Sequence, residues 1–204
     1  MGTLAVLGAL LLYGALHSAT ASDRWKGRVS GLLGERAFLG LYRLFYSIVS
    51  MLTLLPILRL MAAWPGRTVW SVEGMAADVL LVVRALSGIG LAAALLQIDV
   101  LRFLGIKEAI AYVRGRPLPL PLEPLVTRGV YRLVRHPLYL FSLIALWSSP
   151  TMTESALGLV LGATLYFMLG SILEERKMAR AFGPDYATYR ETVPWLIPFM
   201  KGRR

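Results

Sequence analysis

Gly-Val-Tyr-Arg-Leu-Val-Arg-His-Pro-Leu-Tyr (residues 129–139) runs directly into an apolar stretch that breaks at Ser148-Ser149-Pro150. A second apolar stretch follows and stops at the acid pair Glu174-Glu175. Crossing the hydrocarbon core of a bilayer takes about 20 apolar residues in a helix. Residues 138–147 and 156–173 therefore read as two spans forming a helical hairpin. The first is short for a crossing, so it is expected to tilt or to extend upstream through amphipathic residues. Clusters of charge and aromatics at both ends place any chemistry at a membrane surface, within reach of lipid and water.

Three more spans can be read upstream, over 3–19, 37–63 and 75–98. Pro56 is expected to kink the second, and Trp64-Pro65-Gly66 to end it with an interfacial aromatic and a breaker. The expected fold is all-α: a polytopic membrane bundle of about five transmembrane helices, in a single domain over residues 1–204. Composition agrees. The 204 residues are 56% hydrophobic and only 17% charged, against about a quarter charged in soluble domains. Residues 1–16 are apolar without a basic start, and His17-Ser18 sits where a cleavage site would lie, so an uncleaved first span is expected. Residues 115–124 carry a run of prolines that favours an extended strap.

The basic residues set an orientation. All but Arg59, Arg67 and Arg84 of the 22 fall in residues 23–43, 101–135 or 174–204. A five-span chain places those three segments on one side. The positive-inside rule makes that side cytoplasmic, with the N-terminus outside and the C-terminus in the cytoplasm. The net charge of +10 is then accounted for by topology and anionic headgroups, and no nucleic-acid partner is expected. The chain has no cysteine and two histidines. Disulfides and thiolate metal sites are thereby excluded, and no metal is expected.

Several constellations are candidates for chemistry. Arg135-His136-Pro137 lies at a helix start, where free N–H groups favour an anion; anchoring to lipid phosphate is the alternative. Glu174 and Glu175 point about 100° apart on a helix, so only one need face inward. That one could bind a cationic amine or a ribose hydroxyl pair; otherwise both are a solvated helix end. Tyr186, Tyr189 and Arg190 follow a break at Gly183-Pro184, either as site residues or as interfacial anchors. Gly88 and Gly90 permit close helix packing. His17 and Asp99 are polar positions near the cytoplasmic ends of their spans, facing a cavity or snorkelling.

The ordered set Gly-x-Tyr-x-x-x-Arg-His-Pro-x-Tyr, apolar hairpin, Glu-Glu, and Phe-Gly-x-x-Tyr-x-x-Tyr-x-x-x-Val-Pro, over 127–198, resembles the isoprenylcysteine carboxyl methyltransferase and phospholipid methyltransferase superfamily. Leu16-His17-Ser18, Gly105-Ile106-Lys107 and the Pro150-Thr-Met-Thr153 turn look like its NnrU-like branch, which includes methanethiol S-methyltransferases. The resemblance implies S-adenosylmethionine as the methyl donor, bound within 127–198 at the cytoplasmic face of a bacterial inner membrane. It implies that Arg135 and His136 hold the cofactor near its carboxylate or ribose, and that Tyr139 walls the site. Glu174 or Glu175 would take its amine or hydroxyls, with Tyr186 beside them. Arg190 would orient the acceptor, with His17 and Asp99 as further catalytic candidates. The acceptor would be small and hydrophobic or lipidic: a thiol such as methanethiol, or a prenylcysteine-like carboxylate. Val100-Leu101-Arg102 stands where thiol methyltransferases tend to carry His-Phe-Asp. A lipid methyltransferase and a non-catalytic membrane subunit are the rival readings.

Overall fold

A computed structural model describes residues 2–200. Among them, four helices are long and apolar enough to cross a membrane, and one shorter apolar helix accompanies them. Apart from one small β-ribbon the protein is all-α, and it is an integral membrane protein. Its contacts divide it into two compact units, residues 1–65 with 99–123, and residues 66–98 with 124–204.

The first unit contains α1 (Gly2–Ala21), α2 (Asp23–Leu33), α3 (Glu35–Ala63), α5 (Val100–Phe103) and α6 (Ile106–Val113). Ser22 separates α1 from α2 by accepting the Trp25 N–H as an N-cap. α2 carries polar and basic residues and buries none of them. α3 is continuous through Pro56 and ends where the Trp64 N–H closes on the Leu60 carbonyl, as the breaker there predicts. α6 packs on α3, with Tyr112 lying directly on Gly40. Asp99 N-caps α5 by accepting the Arg102 N–H at 3.0 Å and pairs with Lys107. The proline-rich residues 116–127 form neither helix nor strand.

The second unit contains β1 (Thr68–Ser71), α4 (Met75–Gln97), α7 (Pro137–Trp147), β2 (Thr151–Thr153), α8 (Glu154–Phe182) and α9 (Pro184–Thr192). The β-ribbon is absent from the sequence-based expectation. β1 pairs antiparallel with β2 in the register Thr68–Thr153, Trp70–Met152 and Ser71–Thr151. The Trp70 indole donates to the Ser149 carbonyl at 3.2 Å, tying the turn of the hairpin to the residues preceding α4. α4 packs extensively on α7. A Cβ on Gly90 would come within 2.5 Å of the Phe141 ring, whereas one on Gly88 would meet open space. Only Gly90 of the pair serves close packing.

Of the two alternatives for the short span, tilt or upstream extension, the structure removes the second: α7 does not extend upstream. Proline disfavours the helical region for the residue before it, and His136 sits at φ −121°, ψ 61° as the N-cap of a helix that opens on Pro137. Before it comes a 3₁₀ turn, Gly129–Arg132. Gly129 is at φ +59°, pressed against the Gln97 carboxamide. At 11 residues, α7 rises only about 16 Å. α8 does not stop at Leu173 but continues to Phe182, so Glu174 and Glu175 lie inside a helix, not at its end. Glu, Arg, Lys, Met and Ala are all good helix formers, so helicity outlasts hydropathy.

Candidate active site

The register of α8 builds one wall of the site. Phe167, Gly170, Ser171, Glu174 and Glu175 recur at helical spacing, so they share the face toward α7. The start of α7 supplies His136 and Tyr139. The rings of His136, Tyr139 and Phe167 form a continuous parallel stack, with centroids 5.5 and 4.9 Å apart and planes within 10°. The Tyr139 hydroxyl lies over Gly170, where even a Cβ would be in ordinary contact with it at 3.9 Å.

The helical spacing requires only one carboxylate to face inward, but both face His136. The imidazole lies between them and offers one nitrogen to each. Nε2 is 3.1 Å from Glu175 Oε1, and Nδ1 is 3.5 Å from Glu174 Oε2. A neutral imidazole has one N–H; only the protonated ring donates to both. Burial opposes that charge. The Glu174 and Glu175 carboxylates outweigh it, and the net effect raises the His136 pKa above its ordinary value.

The two acids then part company. Glu175 is 12% exposed and accepts from four side chains. Arg135 binds it as a fork, with Nε 2.7 Å from Oε1 and Nη2 3.2 Å from Oε2. The Tyr186 hydroxyl donates at 2.8 Å, and Arg190 Nε lies 3.2 Å from Oε2. Glu174 is 47% exposed and has His136 and the Tyr139 hydroxyl as partners. Glu175 is spent on holding the protein together, while Glu174 keeps an open side.

Arg135 is equally committed. Its Nη1 donates to the Val193 carbonyl at 2.6 Å and to the Arg190 carbonyl at 3.2 Å, and its backbone N–H donates to Pro194 at 2.9 Å. With its fork on Glu175, this guanidinium ties the C-terminal stretch to α8. Gly183, at φ +53°, breaks the helix between α8 and α9 and lets the chain fold back. Tyr186 and Tyr189 are buried, not interfacial anchors. The Tyr189 hydroxyl donates to the Tyr131 carbonyl at 2.6 Å. Burial pushes both phenols up, and Tyr186 is raised further by Glu175. Tyr131 is raised to about 12 by burial and by Glu174.

Of the residues singled out from sequence, the structure therefore joins Arg135, His136, Tyr139, Glu174, Glu175, Tyr186 and Arg190 in one network. It adds Phe167 and Gly170, which the helical spacing back from Glu174 would have revealed. His17 and Asp99 belong to the other unit, each with local partners. His17 meets Ser50 and Tyr46, and Asp99 meets Lys107 and the Arg102 N–H.

A polar network set between two apolar helices defines an integral membrane protein with an enzyme-like site. The model of the family described as phospholipid methyltransferase matches residues 83–185. Methanethiol S-methyltransferase 2 of Bradyrhizobium diazoefficiens is 31% identical over 200 residues, covering 95% of this chain and 72% of the relative. A methanethiol S-methyltransferase of a Pseudomonas species is 32% identical, covering 93% and 70%. Nurim of Bos taurus is 29% identical over 178 residues, covering 84% and 66%. No solved structure matches the chain. The chain belongs to the phospholipid methyltransferase family and is a membrane methyltransferase.

Proposed function

We propose that this enzyme transfers a methyl group from S-adenosylmethionine to a small hydrophobic or lipidic acceptor, with a thiol such as methanethiol as the first candidate. The asymmetry of the two carboxylates carries the reading: Glu174 is half open while Glu175, of the same chemistry, is sealed. The relatives named methanethiol S-methyltransferase support the thiol; a prenylcysteine-like carboxylate is the second candidate. The distribution of basic residues supports an orientation with the site toward the cytoplasm, and the bacterial relatives support a bacterial inner membrane.

The residues present fit the donor. Glu174 is a hydrogen-bond acceptor for an ammonium group or a ribose diol. The Tyr139 and Phe167 rings beside it are a flat aromatic wall for a planar or sulfonium-bearing group. Arg135 acts at one remove, by fixing Glu175 and the stretch to Trp195. When bound, the donor would supply an electrophilic methyl carbon on a positively charged sulfur, with the neutral thioether as leaving group; a thiol acceptor would react as the thiolate, its proton lost to solvent. The protein contributes orientation and a water-poor setting. His136 positions Glu174, and Arg190, more than half exposed, is the candidate for steering the acceptor.

Labelled-methyl transfer from S-adenosylmethionine into a panel of thiols, prenylcysteines and lipids tests the acceptor. Label in thiols is expected; label confined to amine headgroups would overturn the thiol and carboxylate candidates alike. Calorimetry of donor binding tests the site. Glu174→Ala and His136→Ala are each expected to weaken binding by at least about tenfold, the scale of one charged hydrogen bond. Wild-type affinity in both variants would sink the assignment.

A further inference from the structure

The helix pair α1–α3 encloses a cavity of about 490 Å³ that the site above does not use. One end is aromatic: Tyr13, His17, Trp25, Tyr42 and Tyr46 line it. The other end is aliphatic, with Ala9, Leu12, Ile57 and Leu60. From Ala9 to Thr20 the lining follows α1 through about 16 Å of helical rise. No Asp, Glu, Lys or Arg lines it among the described residues. Its polar atoms are turned to one another. His17 Nε2 lies 2.6 Å from the Tyr46 hydroxyl and Nδ1 lies 3.0 Å from Ser50 Oγ. The Tyr13 hydroxyl donates to the Ser50 carbonyl at 3.3 Å, and the Tyr42 hydroxyl to the Thr20 carbonyl at 2.6 Å. A long slot whose polar groups are already bonded presents an apolar surface to its occupant.

α2 sits over the aromatic end, since Trp25 is both its third residue and part of the lining. On either side of Trp25, Arg24 and Arg28 are exposed. Four residues apart, they share one face of α2. Neither has an ion-pair partner among the described residues. This sets them apart from Arg102, Lys107, Arg135 and Arg190, each of which faces a carboxylate. A short, basic, amphipathic helix with a tryptophan is suited to the headgroup layer.

Inside a bilayer a hydrocarbon chain gains nothing from leaving water, so a tail is held there by packing and its head by charge. We propose that the first unit binds one anionic bilayer lipid, with a single hydrocarbon tail in the α1–α3 slot and its phosphate over Arg24 and Arg28. The slot supplies the length and the apolar walls; α2 supplies exposed guanidinium groups beside its mouth that match a phosphate. The site is independent of donor binding in the second unit.

Native mass spectrometry of the detergent-solubilised protein, titrated with phosphatidylglycerol or chain-matched phosphatidylcholine, tests this. One phosphatidylglycerol per chain is expected, and phosphatidylcholine should bind far more weakly. The double variant Arg24→Gln/Arg28→Gln should weaken phosphatidylglycerol about thirtyfold, at the usual worth of two basic residues near an anionic surface. Ala9→Trp, which fills the aliphatic end, should abolish binding of the one tight lipid while donor affinity in calorimetry stays at the wild-type level and reports an intact fold. Equal binding of the two lipids, or tight binding that survives Ala9→Trp, overturns the proposal. So does a double variant that binds as wild type.

Discussion

The protein has two histidines, and each sits between a pair of helices with aromatic rings beside it. Around His136 the partners are ionic: Glu174 and Glu175 on α8, with Arg135 and Arg190 behind them. Around His17 lie the Ser50 hydroxyl and the rings of Tyr13 and Tyr46. One arrangement is a strained-charge problem solved by mutual pairing, and such pairing leaves one acid half open. The other resolves its polarity internally and leaves an apolar slot. The same residue type therefore sits in an ionic network in one region and in the wall of an apolar slot in the other; the carboxylates make the difference.

Removing Glu175 should break this contrast most severely. Glu175→Ala strands Arg135, His136 and Tyr186 in a buried setting, and losing one partner of a buried ion pair costs about 3–5 kcal/mol. A large drop in the unfolding temperature in detergent is expected, with donor binding lost. Wild-type stability would mean that Glu175 is no strut. A finer comparison sets Tyr186→Phe against Ser50→Ala. The first removes a hydrogen bond to a charged group, worth about 1.5–3 kcal/mol; the second removes a neutral one, worth about 0.5–1.5 kcal/mol. Thermal unfolding of the two should rank them in that order, and the reverse order would show that ionic character does not distinguish the regions.

The smallest expected effect is on pH. The folded-state pKa of His136 lies above its ordinary 6.5. Its contribution to stability is therefore fully present below about pH 6.5 and is lost as the pH rises through the raised folded value. Unfolding temperature should decline on the alkaline side of pH 6.5, and His136→Gln should flatten that decline. An equal slope in the variant would assign the titration to another group.

Much of the fold was legible because apolar length is read directly from sequence. The expected span 37–63 is α3 over Glu35–Ala63, and 75–98 is α4 over Met75–Gln97. Where hydropathy and helicity part company the reading failed. Past Leu173 the residues are charged but remain helical; before Pro137 they are amphipathic, but the residue preceding the proline keeps the helix from extending into them. The β-ribbon escaped because its strands, Thr68–Ser71 and Thr151–Thr153, are too short to show a period. The candidate site was legible as a set of residues, because Arg-His-Pro-x-Tyr and Glu-Glu stand at opposite ends of one hairpin. Their division of labour was not. Glu174 and Glu175 are chemically identical, and their roles separate only because Arg135, Tyr186 and Arg190 converge on the second. The reach of Arg135 across 58 residues to the Val193 carbonyl leaves no mark at short range in the chain.

That reach bears on how the protein is made. The guanidinium that orients Glu175 completes its hydrogen bonds on carbonyls of residues 190 and 193. A ribosome that has released the hairpin has made every acid and base of the pair but not the groups that lock Arg135. The hairpin can be inserted early, yet the carboxylates reach their final arrangement only once translation has passed Trp195, so a chain cut short between α8 and that point would be membrane-bound and catalytically unfinished.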